Sequence, residues 1–201
     1  MRSHVRAHKG LWAGAAFVTT SLLAFGLYWF QPWKLWTDTR VDDTLPSVAL
    51  APEPVADVTS PGHPSSPRSA SPTTPTTTKP ATREARVLSR GTLISHEHET
   101  SGTVSIVAQP DGSRVLAISD LDTSDGPDVE VWLTDAPVIP GEKGWYVFDD
   151  GRHRSLGDLR GNQGNLVYRI PSDVDLSRYS SVTLWCARFD VSFGAAPLTS
   201  V

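Results

Sequence analysis

The feature that most constrains this chain is a run of 20 residues without a charge, LWAGAAFVTTSLLAFGLYWF at 11–30. An α-helix of that length rises about 30 Å, which is enough to cross the hydrocarbon core of a bilayer. Tyr28, Trp29 and Trp33 lie at its far end, where amphipathic rings suit the headgroup region. A cleaved signal peptide is the alternative, but it favours a shorter apolar region and small residues at the cleavage site. The sequence therefore predicts a single transmembrane helix.

The charges around this run favour one orientation. Three basic residues lie within 1–10, and two, Lys34 and Arg40, follow the run closely. Because lysine and arginine are in excess on cytoplasmic flanks, this slight bias predicts that 1–10 is a cytoplasmic tail. We therefore expect a single-pass protein of the cell membrane, with its C-terminal part on the extracellular side.

Residues 31–85 have the composition of a stalk. Nine prolines occur between Pro46 and Pro80, among many serines and threonines. Such a segment buries too little apolar surface to offset its chain entropy, so we expect disorder. In polyproline II it would extend by about 3.1 Å per residue, and some 40 residues would hold a domain up to about 120 Å from the membrane. The Ser/Thr density is compatible with O-glycosylation or with a bare spacer.

Residues 86–201 carry the foldable part of the chain. They contain 10 basic and 16 acidic side chains, and this negative balance argues against nucleic acid as a partner. Runs rich in β-branched and aromatic residues predict strands at 91–96, 102–108, 114–119, 128–134, 165–171 and 181–189. Turn signals occur at 110–113, 122–128, 140–144 and 161–165. This alternation predicts a mainly β domain, an antiparallel β-sandwich or a small barrel.

The strand predicted at 181–189 carries the only cysteine, Cys186. Side chains alternate along a strand, and here both faces are largely apolar. We therefore expect a central strand covered on both sides, with Cys186 inside beside Leu184. A lone cysteine in an exported domain can be a small buried apolar residue, a redox-active thiol or a cofactor ligand, or it can form a disulfide with another molecule.

Two other groups contain residue types that bind metals. His96 and His98 form an H-x-H pair, which on a strand would place both imidazoles on one face. The alternative, favoured for His96, is a solvated turn. The acidic loop 120–128 has the oxygen density of a calcium site, but the EF-hand pattern is broken at Asp125. We expect a turn there in which aspartates bond to the backbone.

The order of several motifs resembles the DM-thirteen domain family over residues 91–198. These motifs are GPDVEVWL (126–133), GNQGNLVYRIP (161–171) and VTLWCARFDVSFG (182–194). The resemblance implies an extracellular β-rich domain with a proposed role in electron transfer. It places the family's cysteine at Cys186, either as a bare thiol acting as the catalytic group or as a cofactor ligand, with haem as the cofactor it implies. It places the histidine of the family's first segment at His98.

The resemblance also bears on partners. Such domains often accompany DOMON domains, and this sequence has none, so the resemblance implies that any electron partner is a separate protein. The alternative is a non-catalytic cell-envelope binding or adhesion module, with contacts from loops such as 136–144 and a structural Cys186. The residues themselves leave open whether the protein is an enzyme.

Overall fold

The computed structural model of the protein describes residues 4–48 and 84–201. Its helix α1 spans His4–Phe30 and contains the whole predicted transmembrane run. The stretch Trp12–Lys34 is long and apolar enough to cross a membrane. The proline-rich centre of the predicted stalk, 49–83, lies outside the described residues.

The domain is built from strands and short 3-10 turns, as the sequence predicts. The described strands are β1 (Arg40–Asp42), β2 (Arg86–Thr92), β3 (Ile94–Ser95), β4 (Ser101–Ala108), β5 (Arg114–Asp122), β6 (Val129–Thr134), β7 (His153–Asp158), β8 (Gln163–Ile170), β9 (Ser181–Cys186), β10 (Val191–Pro197) and β11 (Thr199–Ser200). The 3-10 turns span Pro32–Trp36, Glu142–Gly144 and Leu176–Arg178.

These strands form two sheets. One sheet has the order β1-β8-β5-β4-β2-β11, and the other has the order β3-β10-β9-β6-β7. Their shared core takes side chains from both sheets, such as Ile118 and Leu166 from the first and Leu184 from the second. Neither sheet closes on itself in the described residues, so the predicted sandwich is confirmed and the barrel is not.

The predicted central strand is confirmed as β9. It pairs with β6 on one side and β10 on the other, and all six of its residues are buried. Its outer face packs into a second, smaller core cluster that contains Trp132, Phe148 and Trp185. The two apolar faces seen in the sequence therefore correspond to two different clusters.

Several features of the strand pattern differ from the prediction. The strand predicted at 91–96 is wrong in its bounds, since β2 begins at Arg86 and ends at Thr92, and only the short β3 follows after Leu93. β7 was not predicted because it is an edge strand with an exposed, polar sequence. β10 was not predicted because Gly194 and two alanines interrupt its hydrophobic pattern. The turn predicted at 161–165 is wrong, since β8 already begins at Gln163.

The part of the predicted stalk closest to the helix is folded onto the domain. β1 pairs in parallel with β8, in the register Arg40 to Gln163 and Asp42 to Asn165. We call residues 38–43 the docking segment. A three-residue strand with a charged sequence has no periodic signal of its own, because it exists only through its partner edge.

Asn162 holds the docking segment through its side chain. Its Oδ1 accepts a hydrogen bond from the Thr39 N–H at 2.7 Å, and its Nδ2 donates to Asp38 Oδ1 at 2.8 Å. The same Nδ2 donates to the Thr123 carbonyl at 2.8 Å. One buried amide therefore joins the docking segment to the loop after β5.

The glycines of the GNQGN motif make room for this pairing. A Cβ on Gly161 would overlap with the Thr39 carbonyl, and one on Gly164, whose φ is +100°, would overlap with the Val41 carbonyl. At the far end of the segment, Asp43 pairs with Arg160 and accepts a hydrogen bond from the Val167 N–H at 2.8 Å. The hydrogen bond from Arg160 is the main reason why the pKa of Asp43 is lowered.

Candidate functional site

Cys186 ends β9 at the turn into β10. Its side chain has no exposed surface and belongs to the main core together with Leu184, as the sequence predicts. The Sγ–H donates to the Pro127 carbonyl at 3.3 Å, across to the loop before β6. The thiol is therefore enclosed and hydrogen-bonded within the core.

The surroundings of Cys186 favour the protonated thiol. Burial is the largest effect and raises its pKa. The backbone N–H groups of Arg188 and Phe189 oppose this, because they stabilise a thiolate, while the carboxylates of Glu97 and Asp128 add to the increase. A thiol in this setting is a poor nucleophile but is held close to two donors that favour its ionised form.

The raised pKa of Cys186 predicts a loss of stability at alkaline pH. The unfolded chain releases the thiol proton near the ordinary pKa of 9.0, whereas the folded chain keeps it. The unfolded state then binds fewer protons, so stability falls by up to about 1.4 kcal/mol per pH unit from pH 9 upward, until the folded thiol ionises. We expect chemical unfolding of the full chain to show this extra slope, and Cys186→Ala to lack it. Equal slopes in the two proteins would contradict the raised pKa.

His98 lies on the other side of Phe193 from the core. The two ring centroids are 3.8 Å apart, and His98 Nε2 lies 3.6 Å from Glu97 Oε2. Burial lowers the pKa of His98, and the charge of Glu97 partly offsets this. Among the described residues His98 has no hydrogen bond to Cys186; instead, Phe193 belongs to the same core cluster as Cys186.

His96 is directed into the second cluster, so the H-x-H pair does not share a face. Its ring packs against Phe148 at 5.7 Å, and its Nδ1 lies 2.8 Å from Ser192 Oγ, which in turn lies 2.8 Å from Thr183 Oγ1. His96 is buried, so the solvated turn expected for it is wrong. The bend at 96–98 follows β3 and turns the two imidazoles toward different parts of the core.

The haem implied by the resemblance requires Cys186 and His98 to face one open space. The Cys186 sulfur is instead enclosed and donates to a carbonyl, and the His98 ring packs against Phe193 with an interplanar angle of 38°. Within 4–48 and 84–201, no cluster of three or more His, Cys, Asp and Glu residues could hold a metal ion. The two residues do not fit a haem in this packing, and their assignment as cofactor ligands stays a prediction.

The loop 120–128 behaves as a turn around Asp125. The carboxylate of Asp125 accepts the Gly126 N–H at 2.8 Å, which is the backbone bonding expected from the sequence. Asp125 also lies 3.5 Å from Lys34 Nζ, which donates to the Gly126 carbonyl at 3.0 Å. The loop therefore contacts the segment that follows α1, a contact that no local pattern signals.

The end of α1 makes further contacts with the turn that follows Cys186. Phe30 stacks on Phe189 with ring centroids 5.9 Å apart. The Arg188 guanidinium lies over the Trp29 ring at 5.3 Å and donates to the Trp29 carbonyl at 2.9 Å. The helix end, the β9–β10 turn and the loop at 125–127 thus meet beside the buried thiol.

The fold and the site define a class of protein: a two-sheet β domain with one enclosed cysteine, joined to a helix long and apolar enough to cross a membrane. Residues 92–198 match the family described as Electron transfer DM13. The match covers more than half of the chain, so the protein belongs to the DM-thirteen family, as its motifs indicate. No curated protein and no solved structure matches the chain significantly.

Proposed function

We propose that this protein is a membrane-anchored, extracytoplasmic electron-transfer protein whose redox-active group is Cys186. Membership of an electron-transfer family over 92–198 is the observation that carries this proposal. In it, Cys186 acts as a thiolate or as a cofactor ligand, and His98 assists it. Its electron partner is a separate protein.

The surroundings of Cys186 support a redox role in two respects. The N–H groups of Arg188 and Phe189 would stabilise a thiolate, in opposition to the burial that raises the pKa of the thiol. The aromatic rings of Phe189 and Phe193 lower the local dielectric, which tunes a redox potential. Trp185, the neighbour of Cys186 on β9, points into the second cluster instead.

The location is part of the proposal. The basic residues before α1 favour a cytoplasmic N-terminus, and the aromatic rings at its other end suit the outer headgroup region. The domain then lies outside the cell, against the membrane.

The alternative is a cell-envelope binding or adhesion module in which Cys186 is structural. The complete burial of Cys186 in the main core favours it, since free cysteine often serves as a small core residue. The exposed loop 136–144 would then carry contacts to an envelope ligand.

Replacement of Cys186 separates the two candidates. We expect the full chain, purified in detergent from an oxidising compartment, to show a redox transition in a potentiometric titration. Ultraviolet–visible absorption would follow the transition of a bound cofactor, and labelling of Cys186 with a maleimide after denaturation would follow that of a bare thiol. Cys186→Ser should abolish this transition, because the proposed redox group is gone. Metal analysis of the same samples would report any bound cofactor.

The control is Val182→Ala, which removes a buried side chain from the same strand without touching the thiol. It should lower stability and retain the redox transition. A wild-type protein that is colourless, metal-free and without any transition dependent on Cys186 would contradict the redox role and favour the binding module.

A further inference from the structure

A cavity of about 320 Å³ lies where the end of α1 meets the domain. Its apolar lining consists of Phe30, Pro32, Pro127, Phe189 and Phe193. Pro127 accepts the hydrogen bond from Cys186, so the cavity is separated from the thiol by the lining itself. The volume is at the lower end of the range for ligand pockets, which suits one or two fused rings rather than a tetrapyrrole.

The cavity exists because the helix end is held against two loops. Phe30 stacks on Phe189 on one side, and Lys34 bonds to the Gly126 carbonyl and approaches Asp125 on the other. The docking segment adds a third attachment through β1 and β8. The walls of the cavity are therefore fixed on more than one side.

The cavity lies at the expected level of the membrane surface. The apolar stretch Trp12–Lys34 ends at its edge, and the exposed rings of Trp33 and Trp36 lie in the same turn of chain as Pro32 and Lys34, which line it. Such rings favour the headgroup region. A molecule dissolved in the bilayer would reach the cavity without crossing the aqueous phase.

The polar groups of the lining select among lipid-soluble molecules. Lys34, His98 and Gln31 supply hydrogen-bond donors, which suit carbonyl oxygens. Glu97 and Asp125 supply negative charge, which disfavours the phosphate of a phospholipid. The lining thus favours a flat, neutral, apolar ring that carries acceptor oxygens.

We propose that this cavity binds the ring of a lipid-soluble quinone. The inference rests on the proposed function, because an electron-transfer domain needs both a donor and an acceptor. A quinone dissolved in the membrane would serve as one of them, and the separate partner protein would serve as the other. The aromatic walls would pack against the ring of the quinone, and the three hydrogen-bond donors would bind its oxygens.

Binding can be measured with menadione, a small naphthoquinone, by isothermal titration calorimetry of the full chain in phosphatidylcholine nanodiscs, with empty nanodiscs as the blank. We expect saturable binding. Phe189→Ala and Phe30→Ala should each weaken it about tenfold, because each removes one aromatic wall. Lys34→Met should weaken it severalfold, because methionine has no hydrogen-bond donor to offer a carbonyl oxygen. Tyr146→Ala, which removes an exposed aromatic side chain outside the lining, should leave the affinity unchanged.

Several outcomes would overturn the inference. The first is a titration without saturable heat above the empty-nanodisc blank. The second is an equal affinity for menadione in Phe189→Ala and Tyr146→Ala. The third is displacement of menadione when phosphatidylglycerol is added to the nanodiscs. Absence of binding while the redox transition dependent on Cys186 persists would overturn this inference alone. Binding that depends on Phe189 in a protein without that transition would support the quinone site and contradict the redox role of Cys186.

Discussion

Replacing Asn162 with alanine should lower the free energy of unfolding by about 3 kcal/mol and release the docking segment from the sheet. The Asn162 side chain makes three hydrogen bonds, to Thr39, Asp38 and Thr123, and it is almost fully buried. Each bond contributes about 1 kcal/mol, and the Thr123 carbonyl is left without its partner in a buried position. Denaturant unfolding of the full chain would measure the loss of stability.

Release of the docking segment can be measured separately from the loss of stability. Hydrogen exchange of the backbone amides of 40–42 should become fast in Asn162→Ala while the amides of β9 stay protected. Gln163→Ala is the matched control, because the neighbouring side chain makes only one long bond, 3.4 Å to Asp122. Gly164→Val should also release the segment, since its side chain would overlap with the Val41 carbonyl. Protected amides at 40–42 in both Asn162→Ala and Gly164→Val would contradict the role of the GNQGN motif.

The docking segment changes how the expected stalk would act. A proline-rich segment of some 40 residues could extend to about 120 Å. Because β1 lies before that segment in the chain and pairs with β8, the domain stays beside the end of α1 whatever the segment's length. Release of the docking segment together with the contacts of Phe30 and Lys34 would let the domain move away from the end of α1, and the cavity beside Phe30 would open with it.

Trp185→Ala should have the second large effect, a loss of about 3–5 kcal/mol of unfolding free energy. Trp185 is buried between Trp132, at 5.3 Å between ring centroids, and Phe148, at 6.3 Å. Truncation would leave a cavity in the second cluster, which is too small to close around it, and would remove two aromatic contacts. Thermal unfolding of the full chain would show a lower transition temperature.

The effect of Trp185→Ala should stay separate from the redox site. Trp185 and Cys186 are neighbours on β9 but point to opposite faces, so the redox transition expected for Cys186 should keep its potential. Tyr146→Ala is the stability control, because its ring is half exposed. A loss of stability below about 1 kcal/mol would show that the second cluster contributes little to the fold.

Much of the fold follows from local pattern. The 20-residue uncharged run predicted the helix, and alternating apolar residues predicted most strands, because hydrophobic burial imposes the period of each element. The same reasoning predicted β9 as a central strand and Cys186 as an inward-facing residue, since apolar side chains on both faces require cover on both sides. The motifs at 126–133, 161–171 and 182–194 predicted the family.

The tertiary structure decided the features that depend on residues distant in the chain. β1 forms only because Asn162 bonds to the docking segment and Gly164 leaves room for it at the edge of β8. No local pattern in its own sequence therefore predicts a strand. His96 and His98 are two residues apart, yet they lie against Phe148 and Phe193, because the bend after β3 replaces the strand on which they would have shared a face. The sequence alone therefore determined the helix, the strands β4, β5, β6, β8 and β9, and the inward position of Cys186, through local periodicity. The tertiary structure determined which side chains meet at the membrane end, since those contacts depend on packing between distant segments.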